Sequence, residues 1–499
     1  MLGWTGFCLA EWLLPKGIRG HAQVAYIVTA IRGPEALDTH LADRAVAVAP
    51  HDAPHHAQAA PWPGGIAPTR EYRAAYDFLR EADGHLFVTG RAGTGKSTLL
   101  TCLRELLPDA MVVLAPTGLA AVNVGGQTIH SFFGFPPRLI RPDDIRRSRN
   151  GRLMRRLKFL VIDEVSMVRS DLMWAIDQSL RVNRGRPREA FGGVRLALFG
   201  DLHQLPPVIN EADVAQHLES QYGGPFFFSL SSLGEGAGTS LIELCEVFRQ
   251  KDAALLQVLN QIREGDADEG DLALLNSRVR PIRSLSEGEP YVILTPTNAA
   301  AGRINTAYLN ALPGVAHIYQ AVTTGEFSPS AQPTDGTLML KARAKVMLLR
   351  NDPDRRWVNG TIARVSRLEA DRVWIEVAGH EHEVEQATWE SRRYAHDKAA
   401  EKIVETVAGT FRQFPLRLAW ALTIHKSQGL TLDKAYIDLG RGTFAHGQAY
   451  VALSRCRTLD GLALARPLRP ADILFDQAAT GYRRTFCALG CKTGHRAPA

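Results

Sequence analysis

Gly90-Arg91-Ala92-Gly93-Thr94-Gly95-Lys96-Ser97 spells G-x-x-x-x-G-K-[ST] in full. The pattern works only as a tight turn between a buried strand and the first turn of a helix. Its glycines let backbone N–H groups close on phosphate oxygens, and the helix N-terminus adds a favourable dipole. The run from His85 to Thr89 supplies the strand, and the residues from Lys96 onward supply the helix. This pairing demands an α/β fold with a parallel sheet covered on both faces. Gly90 to Thr98 would then cradle the phosphates of ATP, with Lys96 on the β- and γ-phosphates and the Ser97 hydroxyl on Mg²⁺.

Further buried strands are expected at Met111 to Ala115, Phe159 to Ile162 and Leu196 to Phe199, with helical patterns between them. Thr69 caps an expected helix running toward Glu81. The strand Phe159 to Ile162 delivers Asp163 and Glu164 to the carboxyl edge, where α/β sheets bind ligands. Asp163 suits the metal, and Glu164 suits orienting and deprotonating a water. Gly200 to Val208 follows the next strand, and Gln204 within it can sense a γ-phosphate. A second strand set begins at Tyr291 to Leu294 and ends with Ala435 to Leu439 and a helical stretch around Tyr450 to Arg457. Between these, Thr337 to Val377 alternates apolar and polar residues, with turn signals at Asn351-Asp352-Pro353 and Asn359-Gly360. That is the texture of a small inserted β-barrel.

The remaining features bound the answer. At about 150 residues per domain, the 499 residues imply roughly three domains. The net charge of +6 leans weakly toward a polyanionic partner. Six scattered cysteines fit free thiols better than a disulfide framework. Cys487, Cys491 and His495 make only a partial zinc set, so no structural metal is expected. No apolar run is long enough to span a bilayer, so no membrane is expected. Ala45 to Pro68 reads as a linker behind a poorly ordered N-terminal extension.

Two further segments carry the sharper signal. Ala115-Pro116-Thr117-Gly118-Leu119-Ala120-Ala121 and Thr128-Ile129-His130-Ser131-Phe132 follow the second strand. Hydroxyls, a glycine and an aromatic there suit gripping a sugar-phosphate chain and stacking a base. Taken alone, Phe132 is more often core than platform. With Val161 to Met167 and Gly200 to Val208, these segments resemble the successive motifs of superfamily-one DNA helicases of the Pif-type, related to RecD-type enzymes. The second half agrees: Leu244 to Gln250, Thr295 to Asn298, Leu422 to Thr431 and Tyr450 to Arg455. The resemblance covers roughly Thr69 to Asp476.

That resemblance implies two RecA-like P-loop domains, at 69–245 and 246–480, with an SH3-like barrel inserted at about 335–410. Residues 1–68 form the extension and linker, and 481–499 a basic tail. It makes Arg249 and Arg455 arginine fingers beside the catalytic Lys96, Asp163, Glu164 and Gln204. It places Gln428 and Gly429 near ATP, and Thr117, Gly118, His130, Phe132, Thr297, Asn298, Thr423, His425, Lys426 and Ser427 on the DNA. The implied activity is ATP-driven 5′-to-3′ movement on single-stranded DNA and unwinding of duplex. Single-stranded and forked DNA are the implied partners, with room for replication or repair proteins, in a bacterial cytoplasm or a eukaryotic nucleus or mitochondrion. The chain departs from the wider superfamily in two places. The stretch Thr69 to Leu79 lacks the usual adenine-reading Gln, and Asp171 to Arg184 matches the family signature only loosely.

A basic cluster comprises Arg138, Arg141, Arg146, Arg147, Arg149, Arg152, Arg155, Arg156 and Lys158. It reads either as a solvated helix face or as a DNA-guiding surface. Two rival functions stand beside it: a translocase that does not separate strands, which shares every motif, and a P-loop switch that needs no nucleic acid. Arg249, Arg455 and the paired grips argue against the switch. A conjugative relaxase lacks support, because His51, His55 and His56 fall in the linker without paired tyrosines.

Overall fold

The computed structural model describes residues 62–484 except 109–110, 149, 210, 234–237, 249–251, 283–290 and 398–401. The expectations for Arg249, Arg149, His51, His55, His56, the N-terminal extension, Cys487, Cys491 and His495 fall outside the described residues.

The first domain is a six-stranded parallel sheet. Its strands are β1 (His85–Gly90), β2 (Met111–Ala115), β3 (Gln127–Thr128), β4 (Phe159–Ile162), β5 (Arg195–Phe199) and β6 (Thr239–Leu244), in the order β3-β2-β4-β5-β1-β6. The apolar runs are buried on both faces, and successive residues alternate between two cores. Phe87, Val112, Leu114, Leu160, Ile162, Leu196 and Leu198 enter one. Leu86, Val88, Val113, Val161, Ala197 and Phe199 enter the other. On that second face lies the helix Arg70–Glu81, which buries Tyr72, Ala75, Phe78 and Leu79 at helical spacing. Thr69 caps it, its hydroxyl accepting from Tyr72 N at 3.2 Å.

The second domain is a smaller parallel sheet that starts with β7 (Val292–Thr295) and is then interrupted. The interruption is entirely antiparallel and holds β8 (His317–Gln320), β9 (Val322–Gly325), β10 (Thr337–Leu340), β11 (Lys345–Leu348), β12 (Ile362–Leu368), β13 (Val373–Val377), β14 (His380–Val384), β15 (Ala387–Asp397), β16 (Lys402–Gln413) and β17 (Leu416–Leu418). Strands β14-β13-β12-β11-β17 form one sheet, β15-β16-β9 a second, and β8 pairs with β10. The insert therefore runs from His317 to Leu418, wider than 335–410. Its first strands are largely exposed, so they carry no apolar alternation to read. The parallel sheet resumes with β18 (Ala421–Thr423), β19 (Ala435–Ile437) and β20 (Leu462–Leu464), in the order β18-β7-β19-β20.

The chain then returns to the first domain. The helix Gln477–Arg484 stacks Tyr482 on Phe228 with ring centroids 4.2 Å apart, and the Tyr482 hydroxyl donates to Leu233 O at 2.8 Å. The second domain accordingly gives up its last residues before position 480. Among the described residues no helix is long and apolar enough to cross a membrane.

Candidate functional site

The phosphate loop leaves β1 at Gly90 and enters the helix Lys96–Leu106 through Gly95, whose φ is 84°. Only glycine fits at that position, because a Cβ would stand 2.3 Å from the Tyr72 hydroxyl. The Tyr72 hydroxyl donates to Gly95 O at 2.7 Å, and Thr94 Oγ1 donates to Arg91 O at 2.9 Å. Lys96 Nζ donates to Gly90 O at 2.6 Å and Arg91 O at 3.2 Å, inside the concave face of its own loop. Ser97 and Thr98 stand exposed at the first turn.

Asp163 and Glu164 follow β4 at the same sheet edge. Asp163 is buried, and its N–H donates to Leu114 O at 2.9 Å. Glu164 adopts a left-handed backbone, with φ 49° and ψ 43°, an unfavourable conformation for a side chain of its size. Gln204 hangs from the loop after β5, and its Nε2 donates to Asp201 Oδ2 at 3.1 Å. The Gln428 amide of the second domain then bridges the cleft. Its Nε2 donates to Glu164 Oε2 at 3.2 Å and to Gln204 Oε1 at 3.1 Å.

The far wall belongs to the short helix Gln448–Leu453 and the residues after it. Arg455 is 1% exposed. It is held by Val451 O at 2.8 Å, Ser454 Oγ at 2.7 Å and Ser427 O at 3.3 Å. Tyr450 accepts from Ala92 N, inside the phosphate loop, at 3.3 Å. Arg455, Glu164, Gln204, Gly429 and the phosphate loop together line one cleft of about 520 Å³.

Charge explains the arrangement. Burial, reinforced for Glu164 by the charge of Asp163, pushes both adjacent carboxyls above their ordinary range, while Lys96 pulls them down and Arg455 also favours ionised Glu164. Burial depresses the Lys96 amine, and Asp201, Glu164 and Asp163 oppose the shift. Burial alone would raise Asp201, but Arg263 and Lys96 hold it at about 2. The donor set fits a magnesium-bound triphosphate: an ammonium, an exposed hydroxyl and a carboxylate matched to a hard cation that prefers oxygen.

The strand-facing residues are distributed differently. Thr117 and Thr297 are helix caps, accepting from Ala120 N and Ala300 N at 3.2 Å each, and Asn298 is exposed beside Thr297. His130 and His425 are half-buried, and burial lowers the pKa of both. Lys426 is exposed. Three expected contacts need correction, and a fourth, Gly118, is covered by the insert in this arrangement. Phe132 is 1% exposed and packs edge-on against Phe133 and Tyr394, so its ring is core and offers no stacking face. Gly118 is buried against Ala331 of the insert, where an added Cβ would sit 2.6 Å from the Ala331 Cβ. Thr423 is buried and accepts from Lys426 N at 3.2 Å. Ser427 is buried and donates to Ile424 O at 2.8 Å. The side chains of Phe132, Thr423 and Ser427 are committed to packing or to their own turn.

The basic cluster is not one helix face. Arg138 pairs with Asp144 at 2.7 Å, whereas Arg147, Arg152 and Arg155 join Arg184 around a cleft of about 600 Å³.

Sequence reasoning missed four contributors: Arg263, Tyr450 as a cleft residue, Tyr72 and Phe248. Arg263 is buried, 3.3 Å from Asp201, 3.6 Å from Glu243 and 3.2 Å from Glu264. Its signal was available, since an arginine beside Leu255, Leu259 and Ile262 on a helix's buried stripe needs an acidic partner.

Two parallel α/β domains closing on one phosphate loop, with amide and arginine groups supplied from the second, define a P-loop ATPase of the two-domain helicase class. The family model for PIF1-like helicases matches residues 69–269. The chain is 35% identical to the ATP-dependent DNA helicase Pif1 of Bdellovibrio bacteriovorus over 84% of its own length and 92% of that protein. It is 33% identical to the mouse ATP-dependent DNA helicase PIF1, covering 76% of this chain and 57% of the mouse protein. Among solved structures, Bacteroides sp Pif1 in complex with ADP-AlF4 superposes with a TM-score of 0.77 at 36% identity, covering 84% of this chain and 97% of that one. Bacteroides Pif1 bound to ssDNA gives 0.60 at the same identity and coverage. The chain belongs to the PIF1-like helicase family.

Proposed function

We propose that this chain is an ATP-dependent DNA helicase that moves 5′ to 3′ along single-stranded DNA and unwinds duplex at a fork. The observation that carries the reading is the bridge Glu164–Gln428–Gln204, which ties the hydrolytic edge of the first domain to a loop of the second. A groove closed by such a bridge couples phosphate chemistry to the distance between domains. Lys96 would hold the β- and γ-phosphates, Ser97 and Asp163 the magnesium, and Glu164 the attacking water. Arg455 would neutralise charge developing on the γ-phosphate, with Arg249 as its expected companion. Magnesium held there would supply charge neutralisation for the phosphate oxygens.

The strand would lie across Thr117 and His130 of the first domain and Thr297, Asn298, His425 and Lys426 of the second. The insert supports a rearrangement when DNA enters. In the present arrangement its turn Pro329–Ala331 abuts Gly118, and its Tyr394 hydroxyl accepts from Val113 N at 3.0 Å. The structure also superposes better on the unliganded Bacteroides protein, at 0.77, than on its ssDNA-bound form, at 0.60. Strand separation on forked, 5′-tailed and 3′-tailed duplexes with ATP tests the proposal. The expected result is unwinding of forked and 5′-tailed substrates. ATP turnover indifferent to single-stranded DNA rejects the motor, and unwinding of 3′ tails alone reverses its direction.

A further inference from the structure

The cleft has two chemically different ends. Glu164, Gln204 and Arg455 line one, and Ile66, Ala67, Thr69, Tyr72 and Phe248 line the other. A triphosphate seated on the loop with its γ-phosphate at Glu164 sends its base toward the second end. Among the described residues lining that end there is no amide, carboxylate or cationic side chain. Its two hydroxyls are each partly engaged: Thr69 Oγ1 accepts from Tyr72 N, and Tyr72 donates to Gly95 O. The proton that capping leaves on Thr69 can donate to a ring acceptor such as N7, which adenine and guanine share; the rest is ring and aliphatic surface. Phe248 is 55% exposed, yet its N–H donates to Gly93 O at 3.0 Å, which fixes the residue on the phosphate loop. Tyr72 is buried behind the same loop, in the stretch where an adenine-reading glutamine would be expected.

We propose that the nucleotide base is held by the Phe248 face and the aliphatic wall rather than read by a hydrogen-bonding side chain, so that the enzyme accepts adenine and guanine nucleoside triphosphates alike. The proposal rests on the ATPase reading above. Its physical basis is the asymmetry of pocket discrimination. A site built to hydrogen-bond a substrate group rejects the wrong analogue by about 10⁴–10⁵, whereas an apolar pocket separates near-isosteres by about 10² at most. Pyrimidines, with a smaller stacking face, should bind more weakly than either purine.

The test is kcat/KM of the full chain for ATP, GTP, CTP and UTP at saturating single-stranded DNA. Displacement of a fluorescent, non-hydrolysable ATP analogue by non-hydrolysable ATP and GTP analogues runs beside it. ATP and GTP should agree within about tenfold in both measurements. Phe248→Ala should raise KM for both purines by the same factor, about five- to a hundredfold, because stacking is indifferent to the base's edge. A preference for ATP beyond about a hundredfold overturns the proposal, as does a Phe248→Ala effect confined to one purine. Equal displacement with no turnover of any nucleotide would reject the motor reading and leave this one standing.

Discussion

The ATP cleft and the strand-facing edge are made of the same local unit, a strand end passing into a helix N-terminus, but they use side chains in opposite ways. In the cleft, Lys96, Glu164, Gln204, Gln428 and Arg455 meet from distant parts of the chain, and the fold holds them against one another. On the strand-facing edge, Thr117, Thr128, Thr297 and Thr423 each lend their hydroxyl oxygen to a backbone N–H three residues on. The cleft therefore concentrates its chemistry in charged and amide groups drawn from both domains. On the proposed reading, the strand-facing edge would rely on backbone shape and on the hydroxyl protons that capping leaves free. A substitution in the cleft should remove chemistry and spare the fold. The same substitution on the strand-facing edge should disturb both.

Arg455→Ala should have the largest effect. Lost charge neutralisation at the γ-phosphate predicts a fall in DNA-stimulated turnover of about three to five orders of magnitude. Affinity for single-stranded DNA should barely change, since Arg455 is buried and lines the ATP cleft. Steady-state hydrolysis beside strand binding by anisotropy separates the two. Strand affinity falling in step with turnover would show that the two regions are not independent.

Arg263→Gln comes next and probes what links them. Arg263 neutralises Asp201, which holds the Gln204 amide, which in turn accepts from Gln428. Removing one partner of a buried pair costs about 3–5 kcal/mol, because the other charge is stranded. The Asp201→Asn/Arg263→Gln double variant should recover much of that stability while turnover stays low. A denaturant melt and a turnover assay on the parent and both variants check this. Full recovery of turnover in the double variant would make the pair structural only.

The difference between the regions also explains how much could be read beforehand. The P-loop, the carboxylate pair and the buried strands were legible, because each is a short segment whose backbone geometry its own residues dictate. Arg455 and Gln428 were reachable only through the resemblance, since nothing local marks an arginine as facing a cleft. The strand-facing edge misled at Phe132, where an aromatic that taken alone is more often core sits among residues suited to gripping a strand. Tyr394, which packs on that ring, lies 262 positions later in a hairpin. The insert's early edge and the return of the helix Gln477–Arg484 to the first domain were hidden for the same reason: exposed strands and long-range packing leave little periodicity.

Phe132 sharpens the contrast. With its ring in the core, Phe132→Ala should cost about 3–5 kcal/mol of stability. Phe132→Leu should fold and bind single-stranded DNA within about twofold of the parent, because a stacking contact worth about 1–3 kcal/mol is not being removed. Equilibrium unfolding and strand binding are the two readouts. A folded Phe132→Leu protein with strand affinity reduced tenfold or more would mean that the ring swings out onto a base.

The smallest effect, and the finest division of labour, is expected at Thr117. Its oxygen accepts from Ala120 N at the start of the helix Gly118–Asn123, leaving the hydroxyl proton to donate to a phosphate. Capping and strand contact can be separated by side chains that keep one and lose the other. Thr117→Ser keeps both. Thr117→Ala loses both, with about 1 kcal/mol from the cap. Thr117→Asp retains a good cap but has no proton to give and sets a negative charge against the strand. Melting should therefore rank Asp and Ser with the parent and Ala below them. Strand affinity should rank Ser with the parent, then Ala, then Asp, with the Asp deficit shrinking as salt rises. If Asp matches Ser in strand affinity at low salt, Thr117 is a cap and nothing more, and the strand must be held by other groups on that edge.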